Sequence, residues 1–121
     1  MKNFVQEGHR ITYTNGGSTT ISSGTVLAIG QFLAVACNDI AAGATGECAT
    51  RGVYTCPKVS GAVIAQGESL TWDESADAFD DNAATPATGD ITGAAAVAWE
   101  AKGAGTTTIK VLLTGVPGTK T

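Results

Sequence analysis

Hydrolytic chemistry in this chain would depend on one residue, because His9 is its only histidine. A serine or cysteine nucleophile needs a neighbouring base to take up its proton, and histidine most often fills that role. None of the six serines lies in a Gly-x-Ser-x-Gly turn, and no pattern ties His9 to one thiol. We interpret His9 as a surface or turn residue, and we predict no catalytic residue and no enzymatic activity.

The cysteines are the next candidates for chemistry. Cys37, Cys48 and Cys56 are spaced by eleven and eight residues, so the Cys-x-x-Cys pair common in zinc sites is missing. An odd number of cysteines is also more typical of free thiols in a reducing compartment than of a disulfide framework. We therefore predict small free thiols that fill a tight core, with no metal site and no cofactor.

Acidic side chains are concentrated in the middle of the chain, where no Lys or Arg occurs between Lys58 and Lys102. The densest group consists of Asp73, Glu74, Asp77, Asp80 and Asp81. It lacks the Asp-x-Asp-x-Asp-Gly pattern of a calcium loop, which favours a solvated acidic loop over a weak cation site. Nucleotide binding has no support either, because a phosphate-binding loop needs a Gly-Lys step that the chain does not contain.

The two tryptophans, Trp72 and Trp99, have flat faces on which a sugar could stack. Each of them, however, alternates with an apolar neighbour, Leu70 in the first case and Val97 in the second. This pattern favours core or oligomer-interface anchors. A carbohydrate- or receptor-binding module of the β-sandwich type remains the alternative.

The charge balance restricts the partners. Seven Lys and Arg against eleven Asp and Glu give a net charge of −4, and no basic cluster is present. Nucleic acid is therefore not expected as a partner, because binding to its phosphates depends on Lys and Arg. The longest apolar stretches have six residues, far fewer than the roughly 20 that a membrane-spanning helix needs, and the N-terminus lacks a secretory signal. We expect synthesis in a cytoplasm and no membrane partner.

Short apolar runs bounded by glycine predict the elements that must position these residues. Leu, Ile, Val and Phe make up only 24 of the 121 residues, but they are concentrated in runs of four to six. Alternation at 10–14, 70–73 and 106–113 predicts strands with one buried face, and continuous runs at 25–29 and 32–37 predict strands buried on both faces. The alanine-rich segment 93–101 is the main helical alternative, and the glycines at its start and just after its end favour a strand.

These runs predict an all-β fold: a small β-sandwich or barrel with glycine-rich turns and an acidic loop excursion. The 121 residues suit a single domain. Within it we expect an extended N-terminal arm at 1–8, the acidic loop at 74–90, exposed and with a short strand around Phe79, and a flexible tail at 115–121.

Because no enzymatic activity is predicted, we compare the chain with families of structural proteins. Several short segments are informative through their order and spacing. They are Lys2–Gly8, Ser23–Gly30, Ala34–Ala36 with Asp39–Gly43, Gly52–Tyr54 with Pro57–Lys58, Leu70–Asp73 and Ile109–Gly115. Together they resemble the tailed-phage capsid cement, or head decoration, proteins over residues 2–115. The acidic stretch after Asp73 is longer and more polar than the short turn typical of that family. Some of its members have carried a recombinase label, against which the missing phosphate-binding loop argues.

The resemblance implies a small structural virion protein on the outer surface of an icosahedral capsid. Its implied partners are the major capsid protein and further copies of itself, as a dimer or trimer. The extended, mixed start of the chain leads us to expect that the arm takes part in capsid attachment. The attachment residues in this hypothesis are Lys2, Asn3, Phe4, Val5, Gln6 and Glu7.

Overall fold

Eleven strands and the turns between them make up the described part of the protein. The structure, a computed structural model, describes residues 2–121, and Met1, the first residue of the expected arm, lies outside the described residues. The strands are β1 (Arg10–Thr14), β2 (Val26–Ile29), β3 (Phe32–Ala36), β4 (Thr45–Ala49), β5 (Arg51–Pro57), β6 (Thr71–Asp73), β7 (Ala78–Asp80), β8 (Ile91–Thr92), β9 (Ala96–Ala98), β10 (Thr108–Thr114) and β11 (Thr119–Lys120). Residues 2–121 contain no helix, which confirms the all-β prediction, and the alanine-rich segment forms β9.

The first sheet has four antiparallel strands in the order β1-β4-β3-β2. β2 and β3 form a hairpin that turns at Gly30 and Gln31, where Gly30 has a φ of +61°, a left-handed conformation that glycine adopts without strain. After β1, the buried amide of Asn15 donates hydrogen bonds to the carbonyl oxygens of Thr19 (2.8 Å) and Ile40 (2.9 Å). In the strand order given above, β1 and β2 are the two edges of this sheet, and β3 lies in its interior.

The other two sheets have the orders β5-β10-β9 and β11-β8-β6-β7. Two isolated bridges join them: Ser69, two residues before β6, pairs with Val97 of β9, and Lys58, directly after β5, pairs with Phe79 of β7. Around the ring the order is β5, β10, β9, β6, β7 and again β5. The predicted alternatives of sandwich and barrel are resolved in favour of a small barrel, against which the first sheet packs.

The main core lies inside this barrel. Its large, almost fully buried side chains include Leu70, Trp72, Phe79, Ile91, Ile109, Val111 and Leu113. Val26, Leu33 and Val35 of the first sheet pack into the same cluster. Burial of one side chain of this size contributes about 1.5–3 kcal/mol, so the barrel interior supplies most of the apolar stabilisation.

A second, smaller core lies on the opposite face of the first sheet. Its buried members are Ala34, Ala36, Ile40 and Cys48, and half-buried side chains of β1, β2 and the connecting segments pack against them. The side chains of β3 alternate, so Leu33 and Val35 face the main core while the alanines face the second one. This confirms that the run 32–37 is buried on both faces. Gly46 leaves room for the side chain of Ile40, because a Cβ atom at position 46 would lie 2.7 Å from Ile40 Cγ1.

The acidic segment 74–90 connects β6 to β8 and contributes one strand to the barrel. It contains β7, whose Phe79 is fully buried. At its end, the buried carboxylate of Asp90 accepts hydrogen bonds from the backbone N–H groups of Glu74 (3.1 Å) and Ala87 (3.0 Å). Asp90 thereby fixes both ends of the segment.

The last residues of the chain return to the same sheet. β11 pairs with β8, and the N–H of Thr121 donates to the carbonyl oxygen of Asp90 at 2.9 Å. The N–H of Gly118 donates to the carbonyl oxygen of Gln31 at 3.0 Å, which connects this end to the β2–β3 hairpin. In the part of the chain that the structure describes, no helix has the length and apolar character needed to cross a membrane.

Candidate functional site

The N-terminal arm, residues 2–8, lies on the surface and precedes the edge strand β1. All six proposed attachment residues, Lys2, Asn3, Phe4, Val5, Gln6 and Glu7, are exposed. Two of them are large and apolar, with 61% of Phe4 and 85% of Val5 accessible to solvent. Large apolar side chains exposed to this degree on an extended segment are suited to contact with a partner.

The arm is attached to the domain near its base. Gln6 Nε2 donates to the carbonyl oxygen of Arg10 at 2.8 Å, and Thr50 Oγ1 donates to the carbonyl oxygen of Gly8 at 2.9 Å. Gly8 has a φ of +83°, a left-handed conformation that suits glycine where the arm enters β1. The hydrogen bonds thus hold the base of the arm, and the apolar pair Phe4–Val5 lies beyond them.

The two tryptophans occupy different environments. Trp72 is 2% exposed and packs edge-on against Phe79, with ring centroids 4.9 Å apart. Its indole Nε1 donates to Glu74 Oε2 at 2.7 Å. Trp99 is 52% exposed. Trp72 therefore lies in the core, and Trp99 is available on the surface as an interface residue.

Trp99 belongs to an apolar patch on the outer face of the β5-β10-β9 sheet. Val53 and Val97 lie directly opposite Leu112 on the two neighbouring strands, and Trp99 follows Val97 by two residues on the same side. Val53 is also exposed, while Val97 and Leu112 are half-buried. We call Val53, Val97, Trp99 and Leu112 the Trp99 face. The sequence does not single out Leu112 and Val53 as surface residues, because alternation predicts a strand but does not specify which of its two faces is covered.

The charged side chains are unevenly distributed over the molecule. On the outer face of the β5-β10-β9 sheet, the exposed Lys110 lies opposite Thr55, and the exposed Arg51 lies opposite Thr114. The densest group of acidic side chains lies instead on and around the β6–β7 hairpin. It consists of Asp73, Glu74, Asp77, Asp80 and Asp81. Beside the Trp99 face the protein presents Lys110 and Arg51 together with one carboxylate, Glu100, whose Oε1 accepts a hydrogen bond from the N–H of Lys110 at 3.1 Å.

An open cleft lies between the first sheet and the β6–β7 hairpin. Val26 and Ala28 of β2 line one side of it, Glu74 and Asp77 line another, and Trp72 contributes to the lining. Sequence reasoning missed this cleft because its walls are 46 or more residues apart in the chain. The signals that were available are the glycine-bounded run of β2 and the acidic residues after Trp72.

The groups considered for catalysis do not assemble into such a site. All three cysteines are free thiols, and burial raises the pKa of Cys56 to about 12, so this thiol stays protonated at neutral pH. Burial and the neighbouring Cys37 raise the pKa of Cys48 as well. The half-buried Cys37 accepts a hydrogen bond from Arg10 Nη1 at 3.1 Å, and His9 is exposed at the start of β1. Within residues 2–121, no three His, Cys, Asp or Glu side chains form a group that could hold a metal ion.

Comparison with known proteins identifies the family to which the chain belongs. The family model of the phage cement proteins matches residues 5–113, which include ten of the eleven strands in whole or in large part. No curated protein and no solved structure matches the chain. The matched range covers most of the domain, from the arm to the end of the barrel. The chain therefore belongs to the phage cement proteins and is a structural protein of the phage capsid.

Proposed function

We propose that the protein binds the outer face of an icosahedral phage capsid and stabilises it by bridging major capsid protein subunits. The exposed arm with its apolar pair Phe4 and Val5 carries this proposal, given the family. A shell filled with DNA is pushed outward, and a bridging protein adds contacts that must break before the shell ruptures. The net charge of −4 favours the outer face, because packaged DNA repels an acidic protein. This role requires no catalysis, no cofactor, no nucleic acid and no membrane.

The arm is the proposed attachment segment. Deletion of residues 2–7 is expected to abolish co-sedimentation with purified heads that lack this protein. The milder double variant Phe4→Ser with Val5→Ser is expected to weaken binding strongly, because it removes the two exposed apolar side chains and leaves the domain untouched. Val63→Ser with Val116→Ser is the matched control, since both valines are exposed elsewhere. Undiminished binding of the truncated protein would contradict the assignment.

The Trp99 face is the proposed contact between copies, as a dimer or trimer. An apolar centre with basic residues at its margin resembles the composition of protein interfaces, in which Trp and Arg are enriched. One oligomer that touches several capsid subunits gains effective concentration, so each contact can be weak. Trp99→Ser is expected to shift the protein toward the monomer in sedimentation equilibrium, while Val63→Ser leaves the oligomer intact. An unchanged oligomer in Trp99→Ser would exclude this face as the contact.

Location on the virion is tested directly by electron microscopy of heads with and without the protein. Added density on the outer surface at symmetry or quasi-symmetry axes is expected, together with greater resistance of the heads to heat. Density on the inner surface would contradict the outer-face assignment. The proposed place of synthesis is the host cytoplasm, in which all three thiols stay reduced.

A second candidate function is kept because Trp99 is exposed. An exposed indole on a β-sheet is a suitable platform for a sugar ring, as in a carbohydrate- or receptor-binding module. A glycan-array screen with the isolated wild-type protein, and with Trp99→Ser as control, distinguishes this function from capsid binding. A glycan bound by the first and not by the second would favour the receptor-binding function.

A further inference from the structure

The edge strand β2 has backbone groups that face away from its sheet. Among the described residues, β3 is the one strand that pairs with β2. The N–H of Ala36 donates to the carbonyl oxygen of Thr25, so Thr25, and by alternation Leu27, point their backbone groups toward β3. The N–H and C=O groups of Val26 and Ala28 consequently point outward. A strand edge of this kind is a template for an added strand.

This free edge borders the cleft in front of the β6–β7 hairpin. The opposite wall carries two carboxylates, Glu74 and Asp77, both exposed. Glu74 is held in place by the 2.7 Å hydrogen bond from Trp72 Nε1. Asp77 has a φ of +49°, the one described non-glycine residue with a left-handed backbone, which fixes the turn that presents it. The cleft therefore combines unpaired backbone groups with two negatively charged side chains, of which Glu74 is held by a hydrogen bond.

We propose that this cleft receives an extended segment of a major capsid protein subunit, which adds to β2 as a further strand. The segment would place a Lys or Arg against Glu74 and Asp77, and backbone hydrogen bonds would join it to Val26 and Ala28. Both features of the cleft, its negative wall and its strand edge, select the same occupant: an extended chain with a basic side chain.

The choice of the capsid as partner rests on the proposed function. A protein that bridges subunits needs two separate attachment sites, and the arm supplies one at the β1 edge. The β2 edge is the other edge strand of the same four-stranded sheet. A strand bound there would come from a different part of the shell than the partner of the arm, while the Trp99 face remains available for contact between copies.

The charge component is tested with two double variants of equal net charge. Glu74→Gln with Asp77→Asn removes the negative wall, but Gln retains an oxygen for the Trp72 hydrogen bond, and Asn tolerates a left-handed backbone as well as Asp does. Its binding to heads lacking this protein is expected to be about threefold to tenfold weaker, the effect of two partly exposed ion pairs. The control, Asp80→Asn with Asp81→Asn, is expected to bind like the wild type. Equal binding of both double variants would overturn the charge assignment.

The strand component is tested by hydrogen exchange on the full chain, free and bound to heads. The amides of Val26 and Ala28 are expected to exchange rapidly in the free protein and at least about tenfold more slowly on heads, since exchange then requires the added strand to open. Leu27 is the internal control, because its N–H already faces β3. Unchanged exchange at Val26 and Ala28 on heads to which the protein is bound would overturn the proposal.

Three further outcomes would distinguish failure of this inference from failure of the proposed function. Protection of Val26 and Ala28 that rises with protein concentration in the absence of heads would assign the cleft to a second copy and exclude the capsid segment. Loss of head binding on arm deletion with no effect of the cleft variants, and no protection of β2, would leave the proposed function standing and reject this inference alone. A wild-type protein that fails to bind heads would reject the proposed function itself.

Discussion

The barrel and the first sheet are stabilised by different kinds of side chain. The main core contains Trp72, Phe79 and several large aliphatic residues, all enclosed by strands. The second core consists of two alanines, one cysteine and Ile40, which comes from the segment between β3 and β4. The large side chains of the main core are therefore almost fully buried, whereas in the second core Ile40 is the one large side chain buried to that degree. The other large side chains that pack there are only half-buried: Ile11, Tyr13, Ile21, Leu27 and Ile29.

This difference coincides with the proposed division of labour. The arm precedes β1 and the free edge of the cleft belongs to β2, so both proposed capsid contacts lie on the first sheet. Binding stabilises the conformation that the partner recognises by an amount set by the partner's affinity and concentration, and this amount is a larger share of the total stability where the core is thin. We infer that the barrel is the rigid support and that the first sheet becomes fully stable on the capsid.

The largest effect is expected from a change in the main core. Phe79→Ala removes a fully buried ring that packs against Trp72 and should lower the free energy of unfolding by about 3–5 kcal/mol. Urea denaturation followed by tryptophan fluorescence measures this loss. Val63→Ala is the control, because Val63 is 65% exposed and its loss should change stability by no more than about 0.5 kcal/mol. A loss below 1 kcal/mol in Phe79→Ala would contradict the assignment of the main stability to the barrel.

A smaller and more local effect is expected in the second core. Ile40→Ala removes the one large side chain that is fully buried there and should cost about 2 kcal/mol, the lower end for such a truncation, because half-buried neighbours can move into the space. Hydrogen exchange should show faster opening of β1 and β4 than of β10. If all three strands opened together, the two cores would form one cooperative unit and the comparison would fail.

The sequence predicted the strands well where one kind of local pattern decides them. Alternation placed β1, β6 and β10, and glycine-bounded apolar runs placed β2 and β3. These patterns work because the side chains of a strand point alternately to two sides, so residues that share a face can be read from their spacing. They gave the all-β class for the same reason.

The alternation of apolar and polar residues does not specify which part of the protein, if any, covers each face of a strand. Trp72 and Trp99 both alternate with apolar neighbours, yet the first is buried and the second exposed. The difference arises from long-range contacts: Trp72 belongs to the main core, where it packs against Phe79 of the neighbouring strand β7, whereas the outer face of β9 and β10 has no neighbouring layer among the described residues. The barrel closure through Ser69–Val97 and the cleft beside β2 depend on the same distant contacts, which no local window contains.

The cysteines can report on the two cores without any substitution. Cys48 belongs to the second core and Cys56 to the main core, and burial raises the pKa of both thiols. Labelling with a thiol reagent in low urea should modify Cys37 first, because it is half-buried, then Cys48 as the first sheet opens, and Cys56 last. Mass spectrometry of the labelled peptides gives the order. Simultaneous labelling of Cys48 and Cys56 would show that the first sheet opens only with the barrel.

The smallest effect is expected at the turn of the β6–β7 hairpin, where the barrel meets the acidic field. Asp73 Oδ1 accepts hydrogen bonds from Ser75 Oγ (2.7 Å), Ser75 N (3.1 Å) and Ala76 N (3.1 Å), and these bonds, led by the Ser75 hydroxyl, hold the pKa of Asp73 below its usual value. A carboxyl whose pKa is lower in the folded state stabilises the fold above its unfolded pKa, and the contribution disappears as the pH falls through the folded pKa.

The wild type should therefore be slightly more stable than Asp73→Asn above about pH 5, and the difference should vanish in more acidic solution. Urea midpoints measured from neutral to acidic pH give the difference directly. Ser75→Ala removes the shortest of the three hydrogen bonds. The difference in stability between Ser75→Ala and Asp73→Asn should therefore be smaller than that between the wild type and Asp73→Asn over the same pH range. Because this turn belongs to the barrel, the acid-sensitive step should leave the exchange of β1 and β4 unchanged. Faster exchange of those strands at low pH would mean that the turn also supports the first sheet across the cleft.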